Sequence, residues 1–285
     1  MKMKLQWLVW AGLLLFSVNT FSQDTNFWVF LCFGQSNMEG IPGIQPRDKV
    51  NVDDRFQVMA AVDFPELGRK RGHWYPGVPP LCRPSTGLCP ADYFGRTMVA
   101  NLPKNIRVGV VVVAVAGCKI ELFQQTNYLT YASNAPSWKK DRNREYYKYP
   151  YQYLVAVAKL AQKDGVVKGI LLHQGESNTN DKEWPNKVKS VYDNLMRDLN
   201  LEAEQVPLLA GEVVNADQKG QCASMNQIID DLPKTIPNSY VISSAGCTAI
   251  PPDHLHFTPA GCRVLGTRYG QKMLSLLGYQ NTEPE

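Results

Sequence analysis

The sequence predicts an α/β protein built on a parallel, doubly wound sheet, and three observations carry that expectation. Apolar runs alternate with helical patterns from one end of the chain to the other. The most evident run, 106–116, is nearly continuously β-branched at Val108, Val110 to Val113 and Val115, as in a strand buried on both faces. Several runs end abruptly in small and polar residues, the pattern of a sheet that keeps its site beyond the carboxyl ends of its strands.

Taken in order, residues 1–22 have the pattern of a secretory signal: Lys2 and Lys4, an apolar stretch, and small residues at 20 and 22 before a cleavage point. The apolar stretch is short for a membrane span, and nothing later resembles one. The expected organisation is therefore a signal over 1–22 and one domain over 23–285, exported to the periplasm or the extracellular space. The first strand runs from Phe27 to Phe33 and breaks at Gly34-Gln35-Ser36-Asn37. A second strand is expected at 56–62. Residues 64–90 read as a long Gly- and Pro-rich loop carrying His73, Trp74 and Tyr75, which either lines a cleft or packs on the surface. A helix follows over 91–102, then the strand over 106–116, broken at Gly117.

Residues 121–149 are irregular and aromatic, with Phe123, Tyr128, Tyr131, Trp138, Tyr146, Tyr147 and Tyr149 among them. Such rings either stack on sugar faces or cover the sheet. A helix over 151–164 and a strand over 166–172 lead to His173-Gln174-Gly175-Glu176-Ser177-Asn178. Helix 182–201, strand 206–211 ending at Glu212, helix 216–232 and a short strand over 240–242 complete the alternation. Asp253 to His256 lie in a loop, and Thr258 caps a last helix that begins at Pro259.

The formal charge is +4, of which Lys2 and Lys4 supply two, and no basic run stands out beyond Arg69-Lys70-Arg71. That balance argues against a nucleic-acid partner. Export permits disulfides among the seven cysteines, with Cys82–Cys89 closing a small ring and a second bridge drawn from Cys222, Cys247 and Cys262.

In a parallel sheet the polar strand ends share one edge, so Ser36, Gly117, Gln174 to Asn178, Glu212 and Asp253 to His256 converge. A serine hydroxyl needs a base, and His256 with Asp253 three residues earlier can supply an imidazole and the carboxylate that orients it. Glu212 is the rival acid. The amides of Ser36 and Gly117 and the side-chain amide of Gln174 are the expected oxyanion donors. Gln35, Asn37, Glu176 and Asn178 are expected to support them. Two other classes compete. One is a metallohydrolase with Asp253, His254 and His256 as ligands. The other is a non-catalytic sugar-binding module using the aromatic segment.

The blocks Gly-Gln-Ser-Asn-Met at 34–38, Gly117, Gln-Gly-Glu-Ser-Asn at 174–178 and Asp-x-x-His at 253–256 resemble those of the SGNH (GDSL-type) hydrolases. Within that superfamily they resemble the sialate O-acetylesterase/acetylxylan esterase group, carbohydrate esterase family 6. The resemblance spans nearly the whole chain after 1–22. It implies a flavodoxin-like three-layer sandwich with a central parallel five-stranded sheet. It also implies a serine esterase with no metal or other cofactor, acting on acetylated carbohydrate; within that class, acetyl groups of plant polysaccharides such as xylan are favoured here over O-acetyl sialic acid. Ser36 would be the nucleophile, His256 the base and Gly117 an oxyanion donor. The chain departs from the superfamily where Gly-x-Asn-Asp is expected, so Gln174 or Asn178 must stand in for that asparagine. Gly117-Cys118-Lys119 also replaces a Gly-Gly-Thr-like turn. No Gly-x-Ser-x-Gly elbow is present, which argues against the α/β-hydrolase fold.

Overall fold

Among the described residues, seven strands form one sheet in the order β3-β2-β4-β1-β5-β6-β7. They are β1 (Asp24–Gly34), β2 (Phe56–Met59), β3 (Trp74–Pro76), β4 (Arg107–Ala114), β5 (Gly165–His173), β6 (Leu208–Gly211) and β7 (Ser239–Ile242). Every adjacent pair is parallel except β2 with β3. The computed structural model describes residues 23–134, 137, 145–146 and 149–279. The expected signal over 1–22 lies outside the described residues, as do Trp138 and Tyr147 of the aromatic stretch.

The helices are α1 (Ser36–Glu39), α2 (Pro90–Asn101), α3 (Tyr128–Ser133), α4 (Pro150–Ala161), α5 (Trp184–Leu199), α6 (Asn226–Asp230), α7 (Leu232–Thr235) and α8 (Pro259–Leu276). Side chains alternate across a strand, and β1 shows the consequence. Val29, Leu31 and Phe33 enter a core with Leu154 of α4 and Leu195 of α5. Phe30 and Cys32 enter the opposite core with Phe94 of α2 and Tyr269 of α8. Both faces of the sheet are thus covered, which is why its central strands read as unbroken apolar runs. Pro259 opens α8, and the Thr258 hydroxyl accepts from the Gly261 amide at 3.1 Å, as its sequence predicts.

The α/β class and the parallel central sheet are as expected, while the strand count is seven rather than five. The sequence places strands at β1, β2, β4, β5, β6 and β7, so the five that the resemblance implies fall short of those six and of β3. The segment between β1 and β4 adds β2 in parallel and then turns back as β3 on the edge. Strand β3 falls inside the loop expected over 64–90, and at three residues it is too short to show a period. The helix expected over 216–232 is instead a chain of short turns and α6. Lys219 adopts a left-handed φ of 60°, and a side chain on Gly220 would collide with the Val214 carbonyl, so no helix runs through that point.

The expected disulfides are absent: none of the seven cysteines is bonded to another. Three of the thiols instead meet oxygen atoms from distant parts of the chain. Cys82 lies 3.4 Å from the Tyr146 hydroxyl, while Cys262 reaches the Leu88 carbonyl and Cys222 the Glu176 carbonyl, each at 3.6 Å. Among the described residues no helix is long and apolar enough to cross a membrane.

Candidate active site

Register alone brings three of the polar blocks together. Gly34 at the end of β1 pairs with Ala114 of β4 on one side and His173 of β5 on the other. The three strands therefore stop level. The Gln35 amide donates to the His173 carbonyl at 3.0 Å, and a Cβ on Gly34 would stand 2.0 Å from that same oxygen. Only glycine permits so close an approach, the more so at a φ of 150°. The chain then turns at once into α1, which presents Ser36.

The Ser36 hydroxyl lies 2.9 Å from His256 Nε2, although 220 residues separate the two. His256 Nδ1 lies 2.8 Å from Asp253 Oδ2. The other Asp253 oxygen accepts from the backbone amides of Leu255 at 3.0 Å and His256 at 3.4 Å. Burial pushes the Asp253 carboxyl up, but those hydrogen bonds outweigh it and hold the group below its ordinary value. Asp253 is thus held as a carboxylate against the imidazole. Glu212 is placed elsewhere. Its Oε2 accepts from the Ser244 amide at 2.7 Å and the Ser243 hydroxyl at 3.1 Å, tying β6 to the end of β7.

These groups open on a cavity of about 530 Å³ lined by Gln35, Ser36, Gly117, Glu176, Cys222 and His256, among others. Gly117 sits at a φ of 66°. Neither its amide nor that of Ser36 has a protein acceptor among the described residues. Gln174 is not among the lining residues and is engaged in the interior. Its Nε2 contacts Gln35 Oε1 at 3.1 Å, the Cys118 carbonyl at 3.2 Å and Asn178 Oδ1 at 2.8 Å, and its Oε1 accepts from Trp184 at 2.6 Å. The consequence falls on Gln35. Gln174 and the Ser177 amide both donate to Gln35 Oε1, which leaves Gln35 Nε2 as a donor without a partner among the described residues, on a side chain that lines the cavity. The sequence places Gln35 beside Ser36 but gives no sign that it, rather than Gln174, offers the free amide.

Of the remaining expected residues, Asn178 bridges inward to Glu121 and Asp181 at 3.0 Å each. Asn37 reaches Glu176 Oε1 at 2.6 Å. His254 Nδ1 lies 3.0 Å from the Gln218 carbonyl, and Asp253 faces His256, so these three do not converge as a ligand set. Trp74 packs on Phe27 with ring centroids 4.6 Å apart and donates to Asp164, and Tyr75 binds the Lys70 amide. Phe123 packs on Phe33, and Tyr146 is buried. These rings cover the sheet.

A serine hydroxyl against an imidazole, a carboxylate behind that imidazole, and three donors left open beside one cavity are an arrangement able to carry out acyl transfer. A family model described as carbohydrate esterase, sialic acid-specific acetylesterase, matches residues 26–275. Among solved structures, a protein of Arabidopsis thaliana is 19% identical with a TM-score of 0.66, over 87% of this chain and 98% of that one. NanS is 16% identical with a TM-score of 0.61, over 90% and 99%. A carbohydrate acetylesterase from Xanthomonas citri is 16% identical with a TM-score of 0.60, over 86% of this chain and 55% of that one. At these identities the solved structures speak for the fold alone.

Proposed function

The chain belongs to the carbohydrate esterase family described as sialic acid-specific acetylesterase, and from that premise we propose that it removes O-acetyl groups from carbohydrate through an acetyl-enzyme on Ser36. As a carboxylic ester hydrolase it needs a nucleophile, a proton carrier and a site for developing negative charge. The observation that carries the reading is the pair of contacts running from Ser36 through His256 to Asp253.

In this mechanism Ser36 Oγ attacks the acetyl carbonyl while His256 Nε2 takes the hydroxyl proton. The carbonyl oxygen becomes an oxyanion, met by the amides of Ser36 and Gly117 and by Gln35 Nε2. Asp253 keeps the Nδ1 hydrogen of His256 facing itself and stabilises the imidazolium. As the tetrahedral intermediate collapses, the bond to the sugar oxygen breaks and that oxygen takes the proton from His256. A water molecule then repeats the sequence on the acetyl-serine, releasing acetate and restoring Ser36.

We assign the substrate to neutral acetylated sugars, with acetylated xylan first. No lysine or arginine lines the cavity among the described residues. A sialate carboxylate would enter with no cation to meet it. The second reading, O-acetyl sialic acid, draws its support from the family description. Export by way of residues 1–22 would bring the enzyme to such polymers.

Ser36→Ala and His256→Ala should each lower p-nitrophenyl acetate turnover by roughly 10³-fold or more, with thermal melts near wild type. Acetate release from acetylated xylan, acetylated pectin and O-acetyl sialic acid separates the substrates. Preference for the sialic acid would overturn the neutral-sugar assignment, and a fully active Ser36→Ala would overturn the mechanism.

A further inference from the structure

His256 arrives on a loop between β7 and α8, and its side chain is 20% exposed. Something must fix that loop against the turn bearing Ser36, because a general base displaced by 1 Å loses about two orders of magnitude in rate. We infer that Asn37 and Glu176 are positioning residues that clasp the His256 loop onto the Ser36 turn.

The hydrogen bonds of Asn37 bracket the base. Its Oδ1 accepts from the Phe257 amide at 3.2 Å, and its Nδ2 donates to the Leu255 carbonyl at 3.0 Å. The residues on either side of His256 are therefore both tied to the residue that follows Ser36. The second hydrogen on Nδ2 goes to Glu176 Oε1 at 2.6 Å. That contact and the two backbone contacts together set the sense of the amide. Turned over, Asn37 would place its NH2 against the Phe257 N–H and its oxygen against the Leu255 carbonyl. Glu176 thus reaches His256 through Asn37.

The surroundings of Glu176 favour an uncharged acceptor. Among the described residues its Oε2 is buried without a partner, and so is His173 Nε2, which stands 3.8 Å from Oε1. Burial raises the Glu176 carboxyl above its ordinary value and lowers the His173 imidazole to about 3. A neutral amide at position 176 accepts the same hydrogen from Asn37.

The inference rests on the Ser36–His256–Asp253 reading, and the test separates the two. Asn37→Ala, Asn37→Ser, Glu176→Leu and Glu176→Gln are compared with wild type and Ser36→Ala in p-nitrophenyl acetate hydrolysis. A fluorophosphonate probe gives the fraction of sites that react and the rate at which they do. Asn37→Ala and Glu176→Leu are expected to lower kcat and the labelling rate by about 10²-fold, with KM within about threefold and the labelled fraction unchanged. Glu176→Gln should recover the rate to within about fivefold of wild type, as an acceptor-only role requires. A reduced labelled fraction with normal kcat per labelled site overturns the clasp, since that is the mark of a fold-only role. Asn37→Ser tests the same clasp in a less disruptive form, and a wild-type labelling rate in it overturns the clasp as well. So does Glu176→Gln as damaging as Glu176→Leu. If Ser36→Ala alone stays active, it is the Ser36 reading that fails.

Discussion

Replacing Asp253 by asparagine removes one charge while the geometry dictates how the new side chain must sit. The Oδ1 position accepts from two backbone amides, Leu255 and His256. Asparagine keeps those bonds only by placing its oxygen there, which puts its NH2 at the Oδ2 position, 2.8 Å from His256 Nδ1. Two donors cannot face each other, so the imidazole must turn its lone pair to the new amide and its hydrogen to Ser36. That tautomer cannot accept the serine proton. The Asp253 side chain is 41% exposed, so solvent screens part of its charge. Taking a charged hydrogen bond at about 1.5–3 kcal/mol gives a loss of roughly 10- to 150-fold in kcat. Asp253→Ala leaves the tautomer free and should be less harmful than Asp253→Asn. The assay is p-nitrophenyl acetate hydrolysis across pH, with melts as a fold control. An Asp253→Asn enzyme within about threefold of wild type, beside a Glu212→Gln enzyme with the larger loss, would refute the assignment of the acid. The depressed pKa also carries a sign: Asp253 stays ionised through the ordinary carboxylate range, and its support is lost only as pH falls through its lower folded value.

Two further perturbations test separate parts of the structure. Gln35→Ala should reduce kcat by about 10²- to 10³-fold with KM little changed, since an oxyanion donor acts in the transition state; a loss confined to KM contradicts that role. Asp92 is fully buried, and burial lifts its carboxyl to about 7, although it accepts from the Cys89 amide at 2.9 Å. Because its folded pKa is raised, its stabilising contribution is complete below the ordinary carboxylate range and is lost as pH rises through about 7. Asp92→Asn should therefore melt higher than wild type at pH about 8, the gap closing towards pH about 4; parallel melting curves across that range would count against the burial argument.

The sequence reads best where one physical cause dominates. Strands β4 and β5 and the inner part of β1 are buried on both faces, so their apolar runs mark them to within one or two residues, while the exposed start of β1 at Asp24 lies three residues before its run. The Ser36, Gly117 and 174–178 blocks are legible for the same reason, because they mark where those runs stop. The choice of acid between Asp253 and Glu212 stays open in the sequence, since a carboxylate at a strand end and one in a loop look equally plausible until the loop is placed. Gln35 and Gln174 are the same residue type, and only the packing of Gln174 against Trp184 and Asn178 tells which amide is free. Strand β3 depends on pairing with β2, and the break at Lys219 depends on tertiary contacts of Gly220, neither of which leaves a periodic trace.

The separation of 220 residues between Ser36 and His256 means that the whole sheet, and no single segment, assembles this cluster. A fragment that stops short of the 253–256 loop lacks both the imidazole that meets Ser36 and the carboxylate behind it, however much of the sheet it has formed. On the proposed reading, activity doubles as a receipt for completed folding: the turn that carries Ser36 and the loop that carries His256 must meet before an acetyl group can leave.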